Sequence, residues 1–173
     1  MVKTDLRVLK TQMALENAFL ELLSEKTLEK ISLKELVDHA VVGKGTFYLH
    51  YKDLNTFSEK IVTKSLQEYR DSLRFKLTSY QKGKSLLELV LPLEQKYQIL
   101  LAIPGYKSKF TLTLRQILLE HFVEADFLLG IDLFVENIAG ILALLRSGNL
   151  PSDLEQIQES LTNYDHFLHK YLF

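Results

Sequence analysis

GKGTFYLHYKD, the stretch from Gly43 to Asp53, gathers two glycines, three aromatics, two lysines and a histidine, with no acidic group before its last residue. Phe47 and Tyr51 stand four residues apart, so on a helix they share one face, and two rings on one side of so short a segment belong in a core. With those rings inward, Gly45, Thr46 and Leu49 point most directly outward, flanked by Lys44 and Tyr48 on one side and His50 on the other. The spacing predicts a helix of about two turns, beginning near Gly43 and ending around Tyr51.

The flanking sequence places this helix in a larger plan. Ser32-Leu-Lys-Glu35 is a capping box, in which the serine accepts from a free amide and the glutamate reaches back to the serine amide. Leu33, Leu36, Val37 and Ala40 then make a short amphipathic helix, and Val41 and Val42 lead from it into Gly43. Upstream, Leu15, Ala18, Phe19, Leu22 and Leu23 recur at helical spacing, predicting a first helix from Thr4 to about Lys26. Downstream, Asp53 can cap a long fourth helix through Phe57, Ile61, Leu66, Tyr69 and Leu73, running to Tyr80 before the break at Lys82-Gly83. Two short helices joined tightly and braced by a longer one form a helix-turn-helix, whose second short helix enters the major groove of DNA.

Each residue of the opening stretch then has a role. Gly45 allows close approach of the backbone to base edges, Lys44 reaches a guanine edge or a phosphate, and Leu49 packs against a thymine methyl. Thr46, Tyr48 and His50 supply phosphate donors, and the amides near Ser32 and Lys34 fix the docking angle on a further phosphate. Residues 1–60 are balanced in charge, yet no carboxylate lies between Asp38 and Asp53, where Lys44, Lys52, His39 and His50 make a small positive surface. That is a footprint for a few phosphates.

On these residues the chain resembles the tetracycline-repressor (TetR) family of bacterial transcription regulators. The family signature runs alanine-glycine-valine-serine-lysine-glycine-threonine-phenylalanine-tyrosine-x-histidine-phenylalanine; here Ala40 to Tyr51 reads AVVGKGTFYLHY, with Lys44 to Tyr48 and His50 identical. The motif-level likeness covers about the first third of the chain, and the remainder follows only in pattern. Three positions depart. Val41 replaces a turn glycine, and because a β-branched residue resists positive φ the turn is expected to be built differently. Gly43 replaces the serine cap, a modest loss. Leu54 replaces a lysine that the resemblance implies contacts the DNA backbone, a role that Lys52 is expected to take over in part.

The rest of the chain reads as further helices: Ser85 to Ile103 with a bend at Pro92, Ser108 to Ala125, Ile131 to Arg146 and Ser152 to Leu172, the last opening on a second capping box, Ser152-Asp-Leu-Glu155. Breaks are expected at Lys82-Gly83, at Pro104-Gly105, near Leu129-Gly130 and from Ser147 to Pro151. The resemblance implies that the last two helices pair with those of a second subunit in a four-helix bundle. Ala139, Gly140 and Ala143 form a small-residue strip suited to such an interface, which packing inside one subunit explains almost equally well. It also implies a small-molecule effector held among the C-terminal helices, whose binding shifts the fourth helix and the spacing of the two recognition helices. Tyr69, Tyr97, Tyr106, Phe110 and Phe122 are the candidate pocket residues, each of which equally suits a filled core.

The fold class expected is therefore all-α, with an N-terminal three-helix helix-turn-helix DNA-binding unit (residues 1–53) and a C-terminal helical ligand-binding and dimerisation bundle (residues 54–173). The expected function is a ligand-responsive repressor that binds a palindromic double-stranded DNA operator as a homodimer. With 47% hydrophobic and 25% charged residues the chain can build a real core. It has no cysteine, an N-terminus unlike a signal peptide, and no unbroken apolar run, so a cytoplasmic, non-membrane protein is expected. No Glu-x-x-His pair, G-x-S-x-G elbow, Walker loop or dinucleotide fingerprint occurs, so no enzyme activity, cofactor or metal is predicted. His121-x-x-Glu124 and His166-x-x-His169 each place two potential ligands on one helix face, for which surface histidines are the first reading and a regulatory metal site the second. The alternative from another class, which Val41 and Leu54 keep open, is a helical dimer acting as a protein-binding coactivator or adaptor with weakened independent DNA binding.

Overall fold

The computed structural model describes residues 6–80, 86–91, 94–122 and 128–149, together with residues 156, 159 and 163. Among the described residues all regular structure is helical: α1 (Leu6–Glu25), a 3-10 turn (Leu28–Lys30), α2 (Leu33–His39), α3 (Lys44–His50), α4 (Leu54–Thr78), α5 (Leu86–Val90), α6 (Gln95–Leu100), α7 (Tyr106–His121) and α8 (Leu128–Arg146). None of these helices is long and apolar enough to cross a membrane.

The first four helices form where capping and spacing require. Ser32 Oγ accepts from the Glu35 amide at 3.2 Å, and the Glu35 carboxylate is held below the usual range chiefly by Lys26, with the Ser32 amide contributing. The capping box is thus closed, and its glutamate also ties α2 to the end of α1 through the Lys26 pair. Asp53 Oδ1 accepts from the Thr56 amide at 2.7 Å and starts α4. Gly43 starts α3 with extended backbone and no side-chain cap, so that helix depends on tertiary contacts.

Those contacts are rings. Phe47 is fully buried, with its centroid 5.3 Å from Tyr51 and 5.8 Å from Phe57. Phe57 in turn meets Phe19 at 5.1 Å and Tyr51 at 4.8 Å. Four rings therefore lock α3 onto α1 and α4, while Leu36 and Val37 bury α2 against the same cluster. α4 continues as a shared spine: Tyr69, Leu73 and Leu77 on its second half enter a core completed by α5 to α8, and one apolar cluster runs from Leu15 to Leu142. Ion pairs Arg74–Glu120, Arg115–Asp132 and Lys107–Glu136 lace α4 to α7 and α7 to α8 at the surface.

The C-terminal elements differ from expectation in two places. The single bent helix expected from Ser85 to Ile103 is two helices, α5 and α6. Leu91 precedes a proline, which disfavours helical backbone at that residue, and Glu94 restarts the helix from an extended conformation. The break expected near Leu129-Gly130 is absent, since α8 runs through Gly130. Gly105 does mark the predicted break, with φ of 77°. The helix expected from Ser152 to Leu172 and its capping box lie outside the described residues, apart from Gln156, Glu159 and Asn163, which are helical.

Burial rather than residue type decides what α3 contributes to stability. Phe47→Ala is expected to cost about 3–5 kcal/mol in chemical denaturation. Leu49→Ala, two residues along the same helix but exposed, should change stability by no more than ~0.5 kcal/mol. Equal losses from the two substitutions would contradict the assignment of inner and outer faces.

Candidate nucleic-acid interface

The connection between α2 and α3 is a helix C-cap with a defined hydrogen-bond pattern. The Val42 amide donates to the Val37 carbonyl at 2.9 Å, and the Val41 amide to the Asp38 carbonyl at 3.2 Å. This crossed pair is a Schellman motif, which requires left-handed backbone at the residue after the C-cap. That residue is Val41, at φ of 54°. The expectation of a differently built turn is therefore corrected: the turn has the geometry a glycine would give it, and valine is forced into it. What forces it is the apolar contact that accompanies the motif, because Val37 is buried and Val42 packs on the same core. The Val41 side chain gains nothing in return, being 92% exposed.

Beyond the turn, α3 presents its outer face to solvent. Lys44 and Gly45 are exposed, Leu49 is 81% exposed and Tyr48 58%. Thr46 and His50 are half-buried, so Thr46 lies nearer the flank than the outermost position expected for it. Ser32 and Lys34 at the start of α2, and Lys52 after α3, are also exposed. Leu54 turns inward and packs against the core, which is physically consistent with a leucine where the signature has lysine.

Two basic residues change places relative to the sequence reading. His39, counted within the positive window, has Nε2 2.6 Å from Glu21 Oε2 and braces α2 on α1 instead. Lys60, which nothing in the local motif singled out, lies under the end of α3. Its Nζ donates to the His50 carbonyl at 3.3 Å and sits 4.9 Å from the centre of the Tyr51 ring. A cation at a helix C-terminus meets the negative end of the helix dipole. The sequence signal that could have found it is its position seven residues after the Asp53 cap, two turns along the same face of α4.

The five aromatic pocket candidates divide. Tyr69, Tyr97, Tyr106 and Phe110 are all buried, with Tyr69 5.7 Å from Tyr97 and 5.0 Å from Phe110, ring centre to ring centre. Tyr69 Oη donates to the Val90 carbonyl at 2.6 Å, and Tyr106 Oη lies 3.3 Å from Ser65 Oγ. Burial pushes the Tyr97 hydroxyl up to about 12 and those of Tyr69 and Tyr106 well above the ordinary value. All three therefore stay neutral. The crevice beside them, lined by Tyr69, Leu73, Leu89, Val90 and Tyr97, offers about 10 Å³, room for at most one water. Phe122 stands apart, 6.1 Å from Tyr80.

The small-residue strip on α8 also divides. Ala139 is buried within the subunit, Gly140 is half-buried and Ala143 is exposed beside the exposed Leu144. His121 is exposed with its ring against Phe122, while Glu124, His166 and His169 lie outside the described residues. Among the described residues no group of three metal-ligating side chains converges.

No protein-family model matches the chain, and no curated protein matches it. Solved structures do. A TetR-family transcriptional regulator from Streptomyces coelicolor superposes with a TM-score of 0.61 at 17% identity, covering 96% of this chain and 99% of its own. Lin0861 from Listeria innocua superposes with a TM-score of 0.56 at 22% identity, covering 97% of this chain and 96% of its own. The chain thus has the all-α fold of a TetR-family regulator over nearly its whole length, with α2 and α3 as the helix-turn-helix.

The strained turn gives a prediction of unusual sign. Left-handed backbone at a non-glycine residue costs about 1–3 kcal/mol, more than the roughly 0.5–1 kcal/mol by which glycine's freedom favours the unfolded chain. Val41→Gly should therefore stabilise the protein by about 1 kcal/mol, seen as a raised denaturation midpoint. A lowered midpoint would show that Val41 is not strained.

Proposed function

We propose that this chain is a sequence-specific DNA-binding transcriptional regulator of the TetR family, a cytoplasmic, ligand-responsive repressor that binds a palindromic operator as a homodimer. The observation that carries the proposal is the outer face of α3. A seven-residue helix is held from behind by four rings and shows Lys44, Gly45, Tyr48 and Leu49 to solvent with no carboxylate among them. A rigid helix with an exposed cation and a backbone open to close approach is what major-groove reading needs. Lys34 and Lys52 stand at either side to hold phosphates, with Ser32, Thr46 and His50 as further donors, and these fix register without reading sequence. Residues 1–53 serve as the reading unit and residues 54–173 as the regulatory and dimerisation unit.

The dimer supplies what one short helix lacks. Two copies of α3 related by a two-fold axis read two half-sites and multiply the discrimination of each. The exposed Leu133, Ala143 and Leu144 and the half-buried Gly140 put apolar surface on α8 for a partner subunit. A small-molecule effector would enter the body near Tyr69, Tyr97, Tyr106 and Phe110, where neutral hydroxyls lie among apolar rings. Those rings are closely packed in this state, so effector binding requires them to part, and this is the conformational change through which α4 would be moved.

The reading that competes with this one is an adaptor whose exposed Tyr48 and Leu49 dock a protein. Salt separates them. Phosphate contacts release counterions, so DNA affinity falls steeply as salt rises, whereas an apolar protein interface does not respond in that way.

Binding of the purified protein to DNA from its own gene neighbourhood, followed by fluorescence anisotropy at two salt concentrations with unrelated competitor DNA, tests the proposal. Lys44→Ala and Tyr48→Ala should each weaken operator binding by about 10-fold, that is by roughly 1.4 kcal/mol. Lys52→Ala should weaken binding to all sequences alike and reduce the salt slope by about 1. Unchanged binding in both Lys44→Ala and Tyr48→Ala, with the dimer intact, would remove α3 as the reading element.

A further inference from the structure

The outer face of α3 is short of the side chains that read bases by paired hydrogen bonds. Between Val41 and Lys52 there is no arginine, asparagine, glutamine, aspartate or glutamate, so the bidentate pairings to guanine by arginine, to adenine by an amide, and to cytosine by a carboxylate are unavailable on this helix. Lys44 remains as a single point charge. What the helix does offer at its centre is apolar: Leu49 is 81% exposed and lies one turn from Gly45 on the same face.

Gly45 carries a second, independent observation. A Cβ placed there would meet nothing within 4 Å, so the packing of this chain does not require glycine. Its backbone is ordinary helix, within Lys44–His50, so conformation does not require it either. Glycine inside a helix nevertheless costs stability relative to alanine. The space in front of Gly45, on the face that Leu49 shares, is kept open for something outside the chain. The positive charge of Lys44, Lys34 and Lys52 around it, and the absence of carboxylates from residues 39–52, make that occupant DNA.

We propose that this open face, made by Gly45 and Leu49, receives the 5-methyl group of a thymine, and that sequence discrimination by α3 rests mainly on thymine methyls rather than on hydrogen-bonded base edges. The inference rests on the DNA-binding reading above and specifies its substrate as operator half-sites with a thymine facing Leu49. A methyl packed on leucine is shielded from water on both partners, and burial of one such group corresponds to about four-fold in affinity. With two half-sites in a symmetric operator the effect is roughly fifteen-fold. Leu49 and Gly45 are thus specificity-determining residues, while Lys44 and the flanking lysines hold the duplex.

The experiment begins with selection of binding sequences from a random double-stranded pool by the purified full-length chain. The enriched operator is then resynthesised with deoxyuridine replacing thymidine one position at a time, which deletes the methyl and leaves every hydrogen-bonding group and phosphate in place. One thymine in each half-site should prove sensitive, with about four-fold weaker binding when one is replaced and roughly fifteen-fold when both are. Leu49→Ala should bind the thymine and uracil operators equally. Gly45→Ala should be thermally more stable than the parent chain and bind the thymine operator more weakly. A uracil operator bound as tightly as the thymine one at every position overturns this inference alone, as does full methyl sensitivity in Leu49→Ala. Enrichment of no sequence overturns the DNA-binding reading and this inference with it.

Discussion

The burial of Phe47 is the constraint on which the rest of the molecule depends. An isolated seven-residue helix is not stable in water, because nucleation costs more than so few hydrogen bonds return. α3 exists because Phe47 and Tyr51 reach into a space already bounded by Phe19 of α1 and Phe57 of α4. That same contact decides what faces outward. Once residues 47 and 51 are inside, helical geometry turns 45 and 49 to the opposite side, with the exposed 44 and 48 on one flank, and the chemistry of the exposed surface follows from ring packing behind it. The tightness of the ring cluster is thus also the rigidity of that exposed face.

A second constraint shows its cost by appearing twice. α8 ends in the same crossed pattern as α2: the Asn149 amide donates to the Leu144 carbonyl and the Gly148 amide to the Leu145 carbonyl, both at 3.2 Å. There the left-handed position is held by Gly148, at φ of 70°, with no steric penalty. In the turn before α3 the same position is held by Val41. The hydrogen bonds and the Val37–Val42 apolar contact are strong enough to impose the conformation on a residue that resists it. Local preference yields to tertiary packing at the place where the chain must turn to present α3.

Much of this was legible in the residues. Ser32-Leu-Lys-Glu35 and Asp53 announced two helix starts because caps are chemistry within one turn of chain, and the Phe47–Tyr51 spacing gave the inner face of α3 because helical period is local. The resemblance to known regulators rested on Lys44 to Tyr48 and His50, six matching positions within seven residues of sequence. What was not legible was set by contacts distant in sequence or by competition between terms. His39 could not be seen to face Glu21, eighteen residues away, and Lys60 could not be placed under His50 until α4 was docked. Val41 misled because its own preference is real and was outvoted. The one helix expected from Ser85 to Ile103 is two, α5 and α6.

α4 is where the first three helices and the later ones meet, and its two halves differ in what they pack against. Phe57 and Ile61 belong with the rings around α3, whereas Tyr69, Leu73 and Leu77 belong with α5, α6 and α7. Between them runs a line of charge: Glu16 of α1 pairs with Lys64, Lys64 with Glu68, and Glu68 with Lys96 of α6. Lys64 is held above the ordinary lysine range chiefly by its hydrogen bond to Glu16. Lys64 and Glu68 are exposed, whereas Glu16 and Lys96 are half-buried, and exposed pairs contribute at most about 1 kcal/mol each. They are too weak to hold α1 against α6 and specific enough to set how the two align. Beneath these charges Ile61, Val62 and Ser65 are buried as well, so the core is continuous along α4, and the helix is one stiff element joining the ring cluster behind α3 to the packed tyrosines of the body.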